Sequence, residues 1–321
     1  MADANRLSSI SNSDTMRRFL LIICSFALPL MVAGIAVEVA LRHLPNDYAY
    51  KSRWLADHAE SVEVLVLGSS HGLSSIRPDL MTLRTFNAAH VSQTLAFDRH
   101  ILEQVIQCDD SLRWVVLPMS YFSLVEEMKD NIEWWREKNY CIYYGYPSHP
   151  LNPLYHSEVI GAPKIKDDII NLVRYWTEGT TLRDTDSLGY RHRNPATSDY
   201  DWASDGHARA MLHTRQVGTS TIQRNRSHVE HIADLCRQHG VQLLLVTTPA
   251  HRAYTSCLDN SQLNEVTQFC LSLAETNSHI RYLNLLNDPR FNNADFHDAD
   301  HLDDEGAAKL TAIIDSLTVA L

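Results

Sequence analysis

The stretch that most constrains this chain is Val62–Arg77, VEVLVLGSSHGLSSIR. Five of the six positions from Val62 to Leu67 are apolar, the pattern of a short strand buried on both faces of a parallel sheet. The run stops at Gly68, and Ser69, Ser70 and His71 come at once after it. A strand that breaks at glycine and hands a serine to the next helix puts that hydroxyl at the carboxyl edge of the sheet, where outward-pointing amides favour developing negative charge. Ser70 is therefore the candidate nucleophile.

The chain beyond this turn has the alternation of a doubly wound domain. Short segments at 84–87, 114–117, 241–247 and 280–285 read as further strands, that at 241–247 a continuous apolar run, closed in several cases by Gly or Pro. Between them, Ile101, Leu102 and Val105, then Val229, Ile232, Ala233 and Cys236, then Leu263, Val266, Phe269, Cys270 and Leu273, fall at helical spacing; Leu310, Ile313, Ile314 and Leu317 mark a last helix. The expected fold class is α/β: a flavodoxin-like, doubly wound parallel sheet of about five strands in the order 2-1-3-4-5. Regular alternation lapses over about 120–209, a stretch rich in Trp, Tyr and Pro with a helix near 166–176, read as a long insertion covering one rim of the sheet.

The amino terminus sets the compartment. Arg17 and Arg18 precede an uncharged apolar run, Phe19–Val37, long enough to span a bilayer and lacking a convincing cleavage site. The expected organisation is a cytoplasmic tail (1–18), a transmembrane anchor (19–41), a juxtamembrane linker (42–61) and the sheet domain (62–321). With basic residues on the amino side, the positive-inside rule places the N-terminus in the cytoplasm and the C-terminal domain in the periplasm or otherwise outside the inner membrane. The membrane is thus a predicted partner. A net charge of -11 without a basic stripe argues against nucleic acid. Five cysteines, Cys108, Cys141, Cys236, Cys257 and Cys270, fall in the exported part without zinc-type spacing; one disulfide and buried free thiols are both compatible with them.

A second chemical cluster, His297-Asp298-Ala299-Asp300-His301, lies between the last strand and the last helix, on the loop expected at the same sheet edge as Ser70. A serine nucleophile needs a base, and the base needs a group that fixes its tautomer. His301 and Asp298 fit those roles. Metal binding through His297 and His301, and a plain acidic helix start capped by Asp303, are the competing readings.

The pairing of VLVLGSSH with DADHLDDEGAAKL resembles the SGNH (GDSL-type) hydrolases and acyltransferases, whose first block is Gly-Asp-Ser and whose last is Asp-x-x-His before the final helix. The resemblance covers about 60–120 and 225–321. It implies Ser70 as nucleophile, Asp298 and His301 as its partners, an acyl-serine intermediate, and neither cofactor nor metal. For the oxyanion it implies the amides of Ser70 and Ser92. The family's third-block Asn is absent from Pro118-Met119-Ser120-Tyr121, where Ser120 is the nearest substitute, and the Asp before the nucleophile is Ser69, as in membrane-anchored members. Anchored, exported relatives imply an esterase or O-acyltransferase acting on a cell-envelope or secreted polysaccharide, with a glycan or acylated substrate and a membrane-bound O-acyltransferase as partner. A lipid or thioester hydrolase, and a catalytically degenerate glycan-binding or scaffold protein, are the alternatives.

Overall fold

The computed structural model describes residues 2–107 and 111–320, the side chains of 2–14 excepted, so Cys108 lies outside the described residues. The five cysteines within them, Cys24, Cys141, Cys236, Cys257 and Cys270, are free thiols. The chain divides into two compact units. One comprises the N-terminal residues through Pro45 together with His149–Leu182, and the other comprises Asn46–Ser148 together with Arg183–Leu321.

The first unit contains α1 (Ala2–Arg42), a helix whose segment Thr15–Arg42 is long and apolar enough to cross a membrane. The larger unit begins with α2 (Asp47–His58), whose N-cap Asn46 accepts a hydrogen bond from the Ala49 amide. Then β1 (Val64–Val66) leads to a short helix α3 (Ser70–Leu73), β2 (Thr85–Asn87), α4 (Leu95–Ile106) and β3 (Trp114–Pro118). A short α5 (Glu137–Tyr143) comes next; α6 (Ile165–Glu178) belongs to the first unit; α7 (Trp202–His213) and α8 (Thr219–Gln238) return to the larger one. The chain closes with β4 (Gln242–Thr247), α9 (Arg252–Thr255), α10 (Asn260–Thr276), β5 (Ile280–Asn284) and α11 (Asp304–Val319).

The five strands form one sheet in the order β2-β1-β3-β4-β5, every pair parallel, which is the topology the alternation predicts. Strands β1–β4 are buried on both faces, the edge strand β5 only partly, and their side chains part with period two. Leu65, Val115, Leu117, Leu243 and Leu245 share a core with Ile101 of α4, Val229 and Ile232 of α8 and Val266 of α10. Val64, Val66, Trp114, Val116, Leu244 and Val246 face the other way, onto Leu310 and Ile314 of α11. In this order the switch point lies between β1 and β3, the place where open α/β sheets hold their ligands.

Within 120–209, the structure has two α-helices beyond the expected one, α5 and α7, with three short 3-10 turns, and it groups His149–Leu182 with the N-terminal helix. Helix α8 begins at Thr219, a full two turns before the apolar periodicity that starts at Ser227, because its first turns carry polar residues that hold it by side-chain contacts instead. One is Asn225, which donates to the carbonyls of Leu124 and Glu126.

Candidate active site

The turn after β1 is built by close packing. Gly68 has φ +104, and a Cβ there would meet Pro118 Cδ of the neighbouring strand at 3.0 Å, so glycine is required on both counts. The Gly68 amide donates to Asp98 Oδ1 at 2.7 Å, an oxygen that also accepts from Gln93 Nε2 at 2.7 Å. Burial pushes the Asp98 carboxyl up to about 7, partly offset by those two hydrogen bonds. With the turn pinned in this way, Ser69 caps α3 and Ser70 occupies its first position, half-buried at the carboxyl edge of β1.

The second cluster reaches the same edge on a loop closed by an antiparallel bridge between Phe296 and Leu302 and by the His297 amide donating to the His301 carbonyl at 3.0 Å. Asp303 ends the loop by capping α11, accepting from the Gly306 amide at 2.8 Å. This loop carries Asp298 and His301 to Ser70. Ser70 Oγ lies 2.8 Å from His301 Nε2, and His301 Nδ1 lies 2.9 Å from Asp298 Oδ1. A carboxylate accepts only, so Nδ1 keeps its proton, and in the neutral imidazole it is Nε2 that presents a lone pair to the serine hydroxyl. Asp298 is itself held by the His301 amide at 2.8 Å, so acid and base form one rigid turn.

Asp300 had no assigned role, yet it is the most connected group in the site. Its side chain is fully buried; Oδ1 lies 2.9 Å from His301 Nδ1, and Oδ2 lies 3.3 Å from His71 Nε2 and 3.6 Å from His213 Nδ1. Arg209 of α7 bridges the two acids: Nη1 donates to Asp300 Oδ1 at 2.5 Å, Nη2 to Asp298 Oδ2 at 2.8 Å, and Nε to both oxygens of Asp205 at 2.9 Å. Asp205 Oδ2 in turn accepts from the Ala299 amide at 2.9 Å, fixing the loop backbone.

These charges decide the protonation states. Burial alone would lower the His301 imidazole, but the carboxylates of Asp300 and Asp298 outweigh it and push it up to about 9. Asp300 is held well below the usual carboxylate range, despite complete burial, by His301 and His71. Burial lowers His213 to about 4 and also lowers His71, each against the opposing pull of Asp300.

His71, beside the nucleophile in sequence, is spent elsewhere. Its Nε2 faces Asp300, and its Nδ1 pairs with Ser120 Oγ at 2.8 Å. Ser120 is therefore held behind His71, its amide bonded to Ser123 Oγ. Ser92 and Ser70, by contrast, line one cleft of about 200 Å³ with Phe122, Glu126, Asn131 and Glu133. Ser92 adopts φ +56, a left-handed conformation uncommon for serine, and its hydroxyl donates to Glu133 Oε2 at 2.5 Å. His297 turns away from the Ser70–His301 pair to the Asn194 carbonyl, 2.7 Å from its Nδ1.

Among the described residues, His71, Asp300 and His301 offer three ligand atoms within 4.8 Å of one another. They do not fit a cation, since the Arg209 guanidinium already stands against Asp300 and Asp298.

No family model and no curated protein sequence matches this chain. Among solved structures it is similar to a candidate platelet activating factor from Streptococcus pneumonia (TM-score 0.42, 10% identity, covering 92% of this chain and 99% of that one). It is also similar to a candidate acylhydrolase from Bacteroides fragilis (TM-score 0.39, 14% identity, covering 84% and 95%).

Four site residues escaped the sequence reading: Arg209, Asp300, Glu126 and Glu133. Asp300 stood in the 297–301 cluster without a role of its own, and Asp205 and Arg209, four apart on one helix, have the spacing of an ordinary surface ion pair.

Proposed function

We propose that this protein is a membrane-anchored serine acyl-ester enzyme, an esterase or O-acyltransferase of the SGNH type, acting outside the inner membrane on a cell-envelope or secreted polysaccharide. The observation that carries the reading is the hydrogen-bonded series Ser70 Oγ to His301 Nε2, 2.8 Å, and His301 Nδ1 to Asp298 Oδ1, 2.9 Å.

In this mechanism His301 Nε2 takes the Oγ proton as Ser70 attacks the acyl carbonyl. The carbonyl oxygen becomes an oxyanion facing the amides of Ser70 and Ser92. Collapse breaks the ester C–O bond; His301 returns the proton to the departing alcohol, and the acyl group remains on Ser70. A water or a sugar hydroxyl, deprotonated by His301, then attacks the acyl-serine and frees the serine. Water gives hydrolysis, and the sugar gives transfer.

The cleft mixes apolar Phe122, Ile132 and Leu212 with a polar wall, and it is the polar wall that supports a glycan as substrate. At about 200 Å³ the cleft is smaller than the roughly 300–1,000 Å³ of pockets that enclose drug-sized ligands. Glu126, Asn131 and Glu133 line it, and a long acyl chain laid over them would desolvate polar groups without replacing their hydrogen bonds. Sugar hydroxyls would replace them. Asn131 Nδ2 donates to Glu126 Oε1 at 2.7 Å and Asn131 Oδ1 accepts from the Glu133 amide at 2.8 Å, so the polar wall is held in place before any ligand arrives.

With α1 as its anchor, the enzyme would work beside a membrane-bound O-acyltransferase that supplies the acyl group. The test is to give the purified chain an aryl acetate donor and a neutral oligosaccharide and to analyse the sugar by mass spectrometry. An acylated sugar supports transfer. Free acid alone, across several acceptors, moves the reading to esterase, and no turnover of any ester contradicts both.

A further inference from the structure

Helix α6 has no buried residue, although it is strongly amphipathic. Ile165, Ile169, Leu172, Val173 and Trp176 recur at helical spacing and make one apolar stripe; the rest of the circumference carries the charged Lys166, Asp167, Asp168, Arg174 and Glu178, with Ile170 and Tyr175 among them. The stripe is only partly covered by protein: Ile165 and Leu172 are half-buried, whereas Ile169 is 43%, Val173 54% and Trp176 75% exposed. A soluble domain has no reason to keep a tryptophan-bearing apolar stripe open to water.

The place of this helix within its unit says what covers it. Helix α1 is exposed from Thr15 through Ala36 and becomes partly covered only from Val37. At about 1.5 Å per residue its apolar run Phe19–Val37 is about 28 Å long, close to the roughly 30 Å of a bilayer core. The next residue, Glu38, is clamped to the segment that leads into α6. Its carboxylate accepts from Ser157 Oγ at 2.8 Å and from the amides of Glu158 and Val159 at 3.1 and 3.0 Å. Arg42 pairs with Glu38 and donates to the His156 carbonyl at 2.6 Å. The start of 149–182 is thereby fixed at the level where α1 would leave the hydrocarbon.

We infer that α6 is an interfacial helix, lying along the bilayer surface at the exit end of α1 with its Ile165–Trp176 stripe in the boundary between headgroups and acyl chains. The inference rests on reading α1 as a membrane anchor, which belongs to the proposed function. The ligand is the lipid surface itself. Three acidic residues, Asp167, Asp168 and Glu178, stand against two basic ones, Lys166 and Arg174, so α6 has no positive excess; attachment comes from the apolar stripe and the tether to α1 and needs no anionic lipid. A tryptophan at the end of such a stripe sits at headgroup depth, as tryptophans do in membrane-interface belts.

The full chain in phosphatidylcholine vesicles tests this by the fluorescence difference between wild type and Trp176→Phe, which isolates the Trp176 emission. Phosphatidylcholine brominated near the headgroup end of its acyl chains should remove most of that emission, aqueous iodide should leave it, and raised salt should change neither. Val173→Glu, which puts a charge into the stripe, should shift the Trp176 emission to the red and open it to iodide while the chain stays in the vesicles. Emission quenched by iodide and untouched by brominated lipid would overturn the inference. So would Trp176 shielded from both reagents at high protein density but open to iodide on dilution into excess lipid, since a second copy of the chain would then be the cover. Retention of the chain after alkaline carbonate extraction keeps these outcomes specific to α6; its release would overturn the anchor reading, and the inference with it.

Discussion

A base pushed up to about 9 leaves a signature in the pH dependence, and Asp300→Asn is the substitution that isolates it. His301 must be neutral to accept the Ser70 proton. With its imidazole at about 9, only about one molecule in a hundred is in that form at pH 7. The rate constant kcat/KM for a soluble aryl ester should therefore rise tenfold per pH unit through neutrality and level off near pH 9. Asp300 Oδ1 is 2.9 Å from His301 Nδ1, inside the range where an opposite charge moves a group by roughly 1–3 units. Asparagine keeps an oxygen for Arg209 but removes that charge, so the ascending limb should fall to about 6–8, where Asp298 alone supports the imidazolium. At pH 7 the variant should then run closer to its own plateau than wild type does to its plateau. The assay is kcat/KM between pH 5.5 and 10.5, corrected for spontaneous ester hydrolysis. Limbs that coincide within about 0.3 units, or a wild-type limb near the ordinary histidine value of about 6.5, would refute the assignment of Asp300 as the charge that sets the base.

Arg209→Ala should cost about 3 kcal/mol in urea unfolding at neutral pH, toward the lower end of what stripping a buried pair of its partner costs because the guanidinium side chain is 26% exposed. Arg209→Lys keeps the charge but not the fork that spans two acids, and should recover only part of that loss. Asp98→Ala leaves the Gly68 amide and Gln93 Nε2 without an acceptor, for a loss of about 2–4 kcal/mol, whereas Asp98→Asn retains Oδ1 and should stay within about 1 kcal/mol. Because burial raises the Asp98 carboxyl to about 7, the folded state holds a proton that the unfolded chain has released; wild-type stability relative to Asp98→Asn should fall as pH rises from about 4 to about 7 and be flat above, by urea titration at each pH. Gly68→Ala meets both the positive φ and Pro118, and should cost about 1–3 kcal/mol in the same measurement while displacing Ser70 enough to depress kcat.

The sheet was readable because a strand buried on both faces announces itself: Val62–Leu67 and Val241–Thr247 are nearly uninterrupted apolar runs, and the helices between them carry clear apolar faces. The residues of the Ser70–His301–Asp298 arrangement were readable for a related reason. A turn that must approach Pro118 closely needs Gly68, and a loop that must deliver a histidine with its acid places Asp298 three residues before His301. Arg209 was not readable. It acts through contacts 89 and 91 residues away in sequence, and nothing local distinguishes an arginine that bridges two catalytic-edge acids from one that rests on solvent. Asp300 was hidden differently, inside a cluster where Asp298 already met the chemical need. Its second role depends on His71 and His213, which only the fold brings beside it. The grouping of His149–Leu182 with α1 was equally silent, because the clamp is one ion pair, Glu38 and Arg42, at the end of an apolar run.

The claim on which the rest depends is that the hydroxyl of Ser70, activated by His301, is a nucleophile. A fluorophosphonate probe reads this directly, since it is captured covalently only by an activated serine. Wild type should be labelled on the peptide that contains Ser70, more rapidly at pH 9 than at pH 7, with labelling abolished in Ser70→Ala and reduced by orders of magnitude in His301→Ala. A wild-type chain that stays unlabelled where an active serine hydrolase reacts, or label that persists in Ser70→Ala, would contradict the account.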